Sequence, residues 1–479
     1  MRRSGPPRSW SGAIVITGVL AAVAFGSAPA ASASPADPAQ ADVSSVAQQS
    51  GPCSSCVSPT PATGTPQLVR YPAGTTEQVR QIVQCGSKMY AVGTFSKITW
   101  GGKNFARNNI FSFNATAPYK VTGWKPNANG EVNTIAFAPG DCSDAYIGGS
   151  FTSVGGTAVD NIAKVDTSTG AVVPAFASNA NKLVETIQYI NTTSPSHLLV
   201  GGKFTTINGN STDKFMASLA PATGLNDGYL HLGISGNYVY PGVHSNSTGI
   251  YNSQLSPGGS KLLVEGTFNT VGGLPRQQIF MLGLGSSATV TGWTSNDFNQ
   301  HCAVGHPFYV QAAAWSPDGN TVYVATTGKV LATWNKTFPL TGPCDVVAAY
   351  PASPTSTPVT HDWINYTGCD SLFSVAADSS AVYIGGHERW ANNANGCNNL
   401  GPGGVPAPGM GGFMPGASGG SLWTNSAGTA GQYSRARGLG ADDMLITAAG
   451  LWIASDNFDG SVTCGAVTGH AGICFLPNS

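Results

Sequence analysis

The chain predicts an all-β fold of stacked repeats, on three observations. Four segments, AVGTFSKITWGG, YIGGSFTSVGGTAVDNIAKVD, LVGGKFTTINGN and LVEGTFNTVGGLPRQQI, share an apolar run that breaks at Gly-Gly-x-Phe or a close variant and enters a Gly-rich turn. Their phenylalanines, Phe95, Phe151, Phe204 and Phe268, lie 56, 53 and 64 residues apart. From Gln67 onward, apolar runs of four to eight residues alternate with Gly, Pro, Asn and Asp turns, and helical periodicity is never sustained. Composition agrees: 62 Gly and 31 Pro among 479 residues, with only 9% charged, against about 25% in an average soluble protein. A repeat of this length holds about four strands and has no second surface on which to bury its apolar face, so neighbouring copies must stack. The expected architecture is a seven-bladed β-propeller.

In chain order, Arg2, Arg3 and Arg8 precede the apolar run Ala13 to Phe25 and then Ala31-Ser32-Ala33. This is the pattern of a secretory signal peptide over 1–33, and the run is shorter than the roughly 20 residues that span a bilayer. Residues 34–64, rich in Pro, Ala and Ser, read as a flexible leader. Residues 65–479 read as one propeller. The fullest copy runs from Val132 to Phe176, with strands at Val132 to Ala138, Ala145 to Phe151, Asn161 to Asp166 and around Val173. Ala312 to Val324, with its SPDG turn, is the fifth copy; Phe373 to Gly386 is the sixth and Met444 to Asp456 the seventh. The seventh gains a third strand at Gly472 to Leu476. Its fourth is expected from Gln67 to Tyr71, leaving no free sheet edge. Glycine inside these strands predicts a bulge or a close approach of another backbone, and the phenylalanine beyond it should pack between blades.

YIGGSFTSVGGTAVDNIAKVDTSTG resembles the delta-60 type β-propeller repeat of secreted and surface proteins, over roughly Val83 to Phe280. IGGHERWANN and RARGLGADDMLITAAGLWIASDNFDG look like the divergent closing blades of bacterial members. The resemblance implies a fold and brings no catalytic motif with it.

Ten cysteines in an exported chain form an even set and predict disulfides. Cys464 and Cys474 are placed to staple the last hairpin. Cys85 and Cys142 precede equivalent strands of adjacent repeats and are placed to bridge two blades. Cys53-Ser54-Ser55-Cys56 has redox or zinc spacing but lies in the leader without a second such pair.

The net charge of -1, with no basic run beyond the first ten residues, excludes electrostatic attraction to nucleic acid and to anionic membranes. No cofactor is expected. Asp456-x-x-Asp459-Gly460 resembles a calcium loop without its third acid and distal Glu. Asp297, His301 and His306 have metal-ligating chemistry at a spacing that fits no standard motif, and loop histidines that bond backbone are the preferred reading. His387-Glu388-Arg389-Trp390 concentrates charge in a chain that has little. Glu388 or His387 as acid or base needs a second carboxylate, for which Asp370, Asp442 and Asp443 are candidates; the preferred reading is a Glu388–Arg389 ion pair. Arg435 and Arg437 have the forked donors that clamp a carboxylate, and could equally pair with Asp442 and Asp443. Trp390 and Trp423 are placed to stack on a sugar, whereas Trp124 and Trp293, both after Thr-Gly, read as packing residues.

The expected function is a secreted, monomeric module that binds an extracellular glycan or protein through loops on one face. A polysaccharide lyase or glycoside hydrolase working at the channel mouth is the first alternative, and a structural envelope protein the second.

Overall fold

A computed structural model describes residues 56–58, 60–69, 77–237, 247–300, 302, 308–329, 343–416, 440–457, 464 and 471–479, with the backbone alone of 421–424, 463 and 467–468. The expected signal peptide and most of the leader lie outside the described residues. The described chain is all-β; its helix is one 3-10 turn, Asn296–Asn299.

Seven antiparallel sheets follow one another, each with its strands in chain order. Sheet 1 is Gln78–Cys85, Lys88–Thr94 and Ile110–Asn114; sheet 2 is Val132–Ala138, Asp141–Gly149 and Ile162–Asp166; sheet 3 is Val184–Ile190, His197–Gly202 and Met216–Leu219. Sheet 4 is Gly249–Leu255, Lys261–Thr267, Ile279–Leu284 and Ala288–Val290; sheet 5 is Val310–Trp315, Thr321–Thr326, Val346–Pro351 and Trp363–Tyr366. Sheet 6 is Leu372–Ala377, Val382–Gly386, Met410–Phe413 and Ser421–Thr424; sheet 7 is Ala441–Thr447, Gly450–Ser455 and Ile473–Pro477. The first strand of each is its inner strand. Small hairpins leave the second strands of sheets 1, 2 and 4, turning through Gly101-Gly102, Gly155-Gly156 and Gly272-Gly273. Both residues of each pair have positive φ, the geometry of the two-residue turn that matches strand twist.

The apolar clusters of the described residues lie between consecutive sheets. Phe151 packs with Tyr90 and Val92 of sheet 1, Phe204 with Tyr146 and Ile162 of sheet 2, and Phe268 with Leu199 and Met216 of sheet 3. Phe95 packs with Trp452 and Phe475, so sheet 7 lies against sheet 1. Burying each ring contributes roughly 1.5–3 kcal/mol, and because it does so between sheets, no sheet is stable without its neighbours. Trp124 and Trp293 act alike: each indole is buried and donates to a carbonyl of the next sheet, Asp166 O and Pro351 O, both at 3.0 Å.

Among the described residues, disulfides join Cys85–Cys142, Cys302–Cys344, Cys369–Cys397 and Cys464–Cys474. The first bridges sheets 1 and 2 and the last staples the end of sheet 7, as their spacing predicts. Cys53 lies outside the described residues.

The N-terminal segment departs from expectation. Gln67–Leu68 pairs with Lys97–Trp100, through Gln67 opposite Thr99, and not as a ladder on Ile473–Pro477. Single hydrogen bonds join it and the stretch before it to the end of the chain instead: Ser58 N–H donates to Pro477 O, Ala62 N–H to Phe475 O and Leu68 N–H to Ala471 O. Prolines 61 and 66 remove donors that a regular ladder would need. The end of the leader is thus tied down, with Cys56 and Val57 buried.

Candidate functional site

All seven inner strands carry a β-bulge in the same register. The pairing slips between Val79 and Gln81 in sheet 1, Val132 and Thr134 in sheet 2, Val184 and Thr186 in sheet 3, and Ile250 and Asn252 in sheet 4. In sheets 5 to 7 it slips between Val310 and Ala312, Leu372 and Ser374, and Ala441 and Asp443. In sheets 1 to 4 and 6 the facing residue is a glycine, whereas Thr326 and Ser455 stand there in sheets 5 and 7. Gly93 and Gly149 face the residue before the bulge, and a Cβ there would come within 2.1 Å of Gln78 O and 2.0 Å of Glu131 O. The inner strand folds into the space that glycine leaves.

The extra residues are Arg80, Asn133, Glu185 and Tyr251 in sheets 1 to 4, then Gln311, Phe373 and Asp442. All seven line one cavity of about 950 Å3 enclosed by the inner strands. A bulged residue is unpaired in the ladder, so its side chain is re-aimed. The result is two-sided. Asp442, Arg80, Asn133 and Glu185 come from sheets 7, 1, 2 and 3 and form a polar arc; Tyr251, Gln311 and Phe373 come from sheets 4, 5 and 6 and set an amide between two rings. The far end, built from later positions of the inner strands, is apolar, with Leu255, Trp315 and Ile446.

Within the arc, Arg80 Nε meets Glu131 Oε1 at 2.9 Å, Asn133 Nδ2 donates to Glu185 Oε2 at 2.6 Å, and Lys203 Nζ lies 3.5 Å from Glu185 Oε1. Lys203 Nζ also sits 5.7 Å from the Tyr251 ring centre, and Tyr251 meets Tyr309 edge-on at 6.2 Å. Burial works against the Arg80 charge, but Asp442, Glu131 and Glu185 outweigh it and raise its pKa. Asp442 is pushed well above the usual carboxylate range, first by burial and then by Asp456, Asp443 and Glu131, with Arg80 opposing. Asp442 Oδ2 and Asn133 Oδ1 are enclosed and meet no hydrogen-bond donor among the described residues.

The residue after each bulge does different work. Gln81 Oε1 accepts the Ile135 N–H at 2.7 Å, Thr134 Oγ1 that of Ile187 at 3.3 Å, and Asp443 Oδ2 that of Ile82 at 2.9 Å. Each bond ties one inner strand to the next, and the last ties sheet 7 to sheet 1. Asp443, a catalytic candidate from the sequence, therefore holds backbone; burial pushes its pKa up to about 6.

The remaining candidates are dispersed. His387 Nε2 accepts the Ser371 N–H, and its ring meets Phe373 edge-on. Glu388 is fully buried, and neither carboxyl oxygen meets a donor among the described residues. Neither residue lines the cavity that Asp442 and Asp443 line, so the carboxylate pair required by the enzyme reading is not assembled there. The expected Glu388–Arg389 ion pair is replaced by Arg389–Asp370, bidentate at 2.7 Å and 2.7 Å. Adjacent residues in an extended chain point to opposite sides, so an inward Glu388 sends Arg389 outward. Arg389 also covers Trp390 at 4.1 Å, taking one face of that ring.

Asp297 accepts from Tyr350 Oη at 3.0 Å and meets His361 Nδ1 at 2.9 Å. Asp456 is buried and accepts the Gly440 N–H. Among the described residues no three His, Cys, Asp or Glu side chains converge as a metal site. His301, His306, Arg435, Arg437 and Asp459 lie outside the described residues, as does the Trp423 side chain.

No family model matches the chain, and no curated protein matches it. Among solved structures the chain is similar to one titled "Structure of U3-55K", at 9% identity and TM-score 0.47, covering 87% of this chain and 100% of that one. It is also similar to the β-propeller domain of Myceliophteria thermophila Cps50 (Swd1), at 10% identity and TM-score 0.37, covering 64% and 79%. The Dos1 propeller aligns at 9% identity and TM-score 0.37, covering 82% and 76%. At these values the likeness carries no function; the sheet order and packing of the chain itself make it an all-β protein of the propeller type.

Proposed function

We propose that the chain is a secreted, seven-bladed β-propeller, closed by its N-terminal segment, that binds an extracellular glycan or protein at its central cavity and performs no covalent chemistry. One observation carries this reading: all seven inner strands bulge in register and place seven different side chains on one cavity. The cavity volume lies in the range of ligand sites, and the seven bulged side chains that line it differ in charge, polarity and ring character, which supports a recognition surface. The bridging disulfides support an oxidising compartment. The glycan is the favoured ligand, because Tyr251, Tyr309 and Phe373 offer flat faces beside polar partners.

The mature chain should be incubated with a glycan array and with insoluble cell-wall material. Retention without released product is the expected outcome. Reducing ends or unsaturated sugars in the supernatant would instead establish the lyase or hydrolase, and silence in both assays would leave a structural role.

A further inference from the structure

Lys203 departs from the repeat. Before the buried phenylalanine, sheets 1, 2 and 4 have Thr94, Ser150 and Thr267, whereas sheet 3 has this lysine. It lines the cavity, as does Arg80, the bulged residue of sheet 1. Each cation is held from behind by a carboxyl group, Arg80 Nε by Glu131 at 2.9 Å and Lys203 Nζ by Glu185 at 3.5 Å. In both pairs the cation is the more exposed partner, 36% against 24% and 38% against 14%. Glu185 lies within electrostatic reach of both cations, so the two share one side of the cavity. The other acids compete little: Asp443 accepts the Ile82 N–H, and burial favours the neutral form of Asp442 against the opposing pull of Arg80. A guanidinium carries five N–H donors in a planar fork. Glu131 and the Gln78 amide oxygen, which in its satisfied orientation faces the guanidinium, use part of that set. Rings stand beside these charges, since Lys203 Nζ is 5.7 Å from the centre of Tyr251, which meets Tyr309 edge-on. A uronic acid combines the complementary groups, a carboxylate attached directly to a sugar ring.

We propose that the cavity selects an acidic sugar, a hexuronate, with its carboxylate bound by Arg80 and Lys203 and its ring against Tyr251. This rests on the glycan reading above and adds the charge of the ligand. A carboxylate matches the planar arginine fork and gains charge-assisted hydrogen bonds from both cations. Glu131 and Glu185 orient those cations before the ligand arrives, so little side-chain freedom is lost on binding. A neutral sugar carries a hydroxymethyl group where the uronate has its carboxylate, and it forgoes the charge-assisted bonds.

The test is calorimetric titration of the mature protein, at neutral pH and low salt, with the tetramers of galacturonate, glucuronate and mannuronate, the neutral tetramers of galactose, glucose and mannose, and tetraaspartate. At least one uronate is expected to bind at least about tenfold more tightly than its neutral counterpart and than tetraaspartate. Lys203→Gln should lose at least about tenfold for that uronate while keeping the wild-type circular dichroism, and Lys203→Arg should retain it. Should Lys203→Gln fail to fold, Arg80→Lys, which keeps the charge and removes the fork, should lose affinity for the uronate and leave any binding of the neutral sugar unchanged. Neutral tetramers bound as tightly as the uronates, tetraaspartate matching the best of them, or variants of undiminished affinity would overturn the proposal. Unsaturated uronate released during the titration would uphold the acidic ligand and replace the binding module by a lyase. A neutral glycan or a protein retained while every uronate is ignored would overturn the proposal and leave the binding module standing; silence from every probe would remove both.

Discussion

Sheets 1 to 4 and sheets 5 to 7 solve one packing problem differently. Two residues beyond the strand position that faces the bulge, the first four sheets place Phe95, Phe151, Phe204 and Phe268, all buried. The same register places Gly328 in sheet 5, Glu388 in sheet 6 and Asn457 in sheet 7. At Gly328 a Cβ would lie 2.5 Å from Cys302 Sγ, so the Cys302–Cys344 bridge occupies that volume. Asn457 exchanges hydrogen bonds with Glu77, its Oδ1 taking the Glu77 N–H at 2.8 Å and its own N–H meeting Glu77 O at 3.0 Å. Glu388 fills the slot with a carboxyl group whose pKa burial drives well above the usual range. The slot has to be filled, but the filling need not be a ring. That is why the repeat fades in sequence while its strands persist.

The largest test of this contrast moves the sheet 6 solution into sheet 2. Phe151→Glu puts a carboxyl group into a site built for a ring and should cost more than about 4 kcal/mol, enough to prevent folding at 37 °C; expression with a cooperative melt near the wild type would break the comparison. Next is Glu265, which stands in sheet 4 where sheets 2 and 3 have Gly148 and Gly201. Burial raises its pKa from 4.5 to about 8. The folded state then binds a proton that the unfolded chain releases, so stability falls as pH rises from about 4.5 to about 8. Glu265→Gln should flatten that decline, read from urea melts across the interval, with the largest gain at the alkaline end.

Asp443→Asn keeps an acceptor for the Ile82 N–H and removes the charge. The wild type should lose stability between pH 3.8 and about 6, as the buried carboxyl ionises. The variant should not, whereas Asp443→Ala should lose about 1–3 kcal/mol at every pH by orphaning that N–H. Smallest is Arg389→Ala, which removes a partly exposed guanidinium from the buried Asp370; a loss of about 1 kcal/mol of stability is expected in urea melts, shrinking with added salt.

What could be read from the residues was whatever repeats locally. The phenylalanine spacing, the indoles after Thr-Gly and the cysteines before matching strands all recur at fixed offsets, so their packing follows from stacking alone. Of the bulged residues Asp442 was named from the sequence, whereas the other six were not, because an inserted residue breaks the alternation used to assign strand faces. The signal lay across the ladder, in the paired glycines, whose Cβ atoms would strike the inner strand. Asp443 was legible as a carboxyl group in an acidic pair, but its partner N–H is 361 residues away. Arg389 was assigned to its sequence neighbour for want of any local sign of Asp370.

A residue left out of a ladder can be exchanged without disturbing the pairing on either side of it. Because each sheet contributes one such residue, selectivity can drift one sheet at a time while the packing between sheets stays unchanged. A library randomised at these seven codons would vary what the protein recognises and leave its foldability nearly constant.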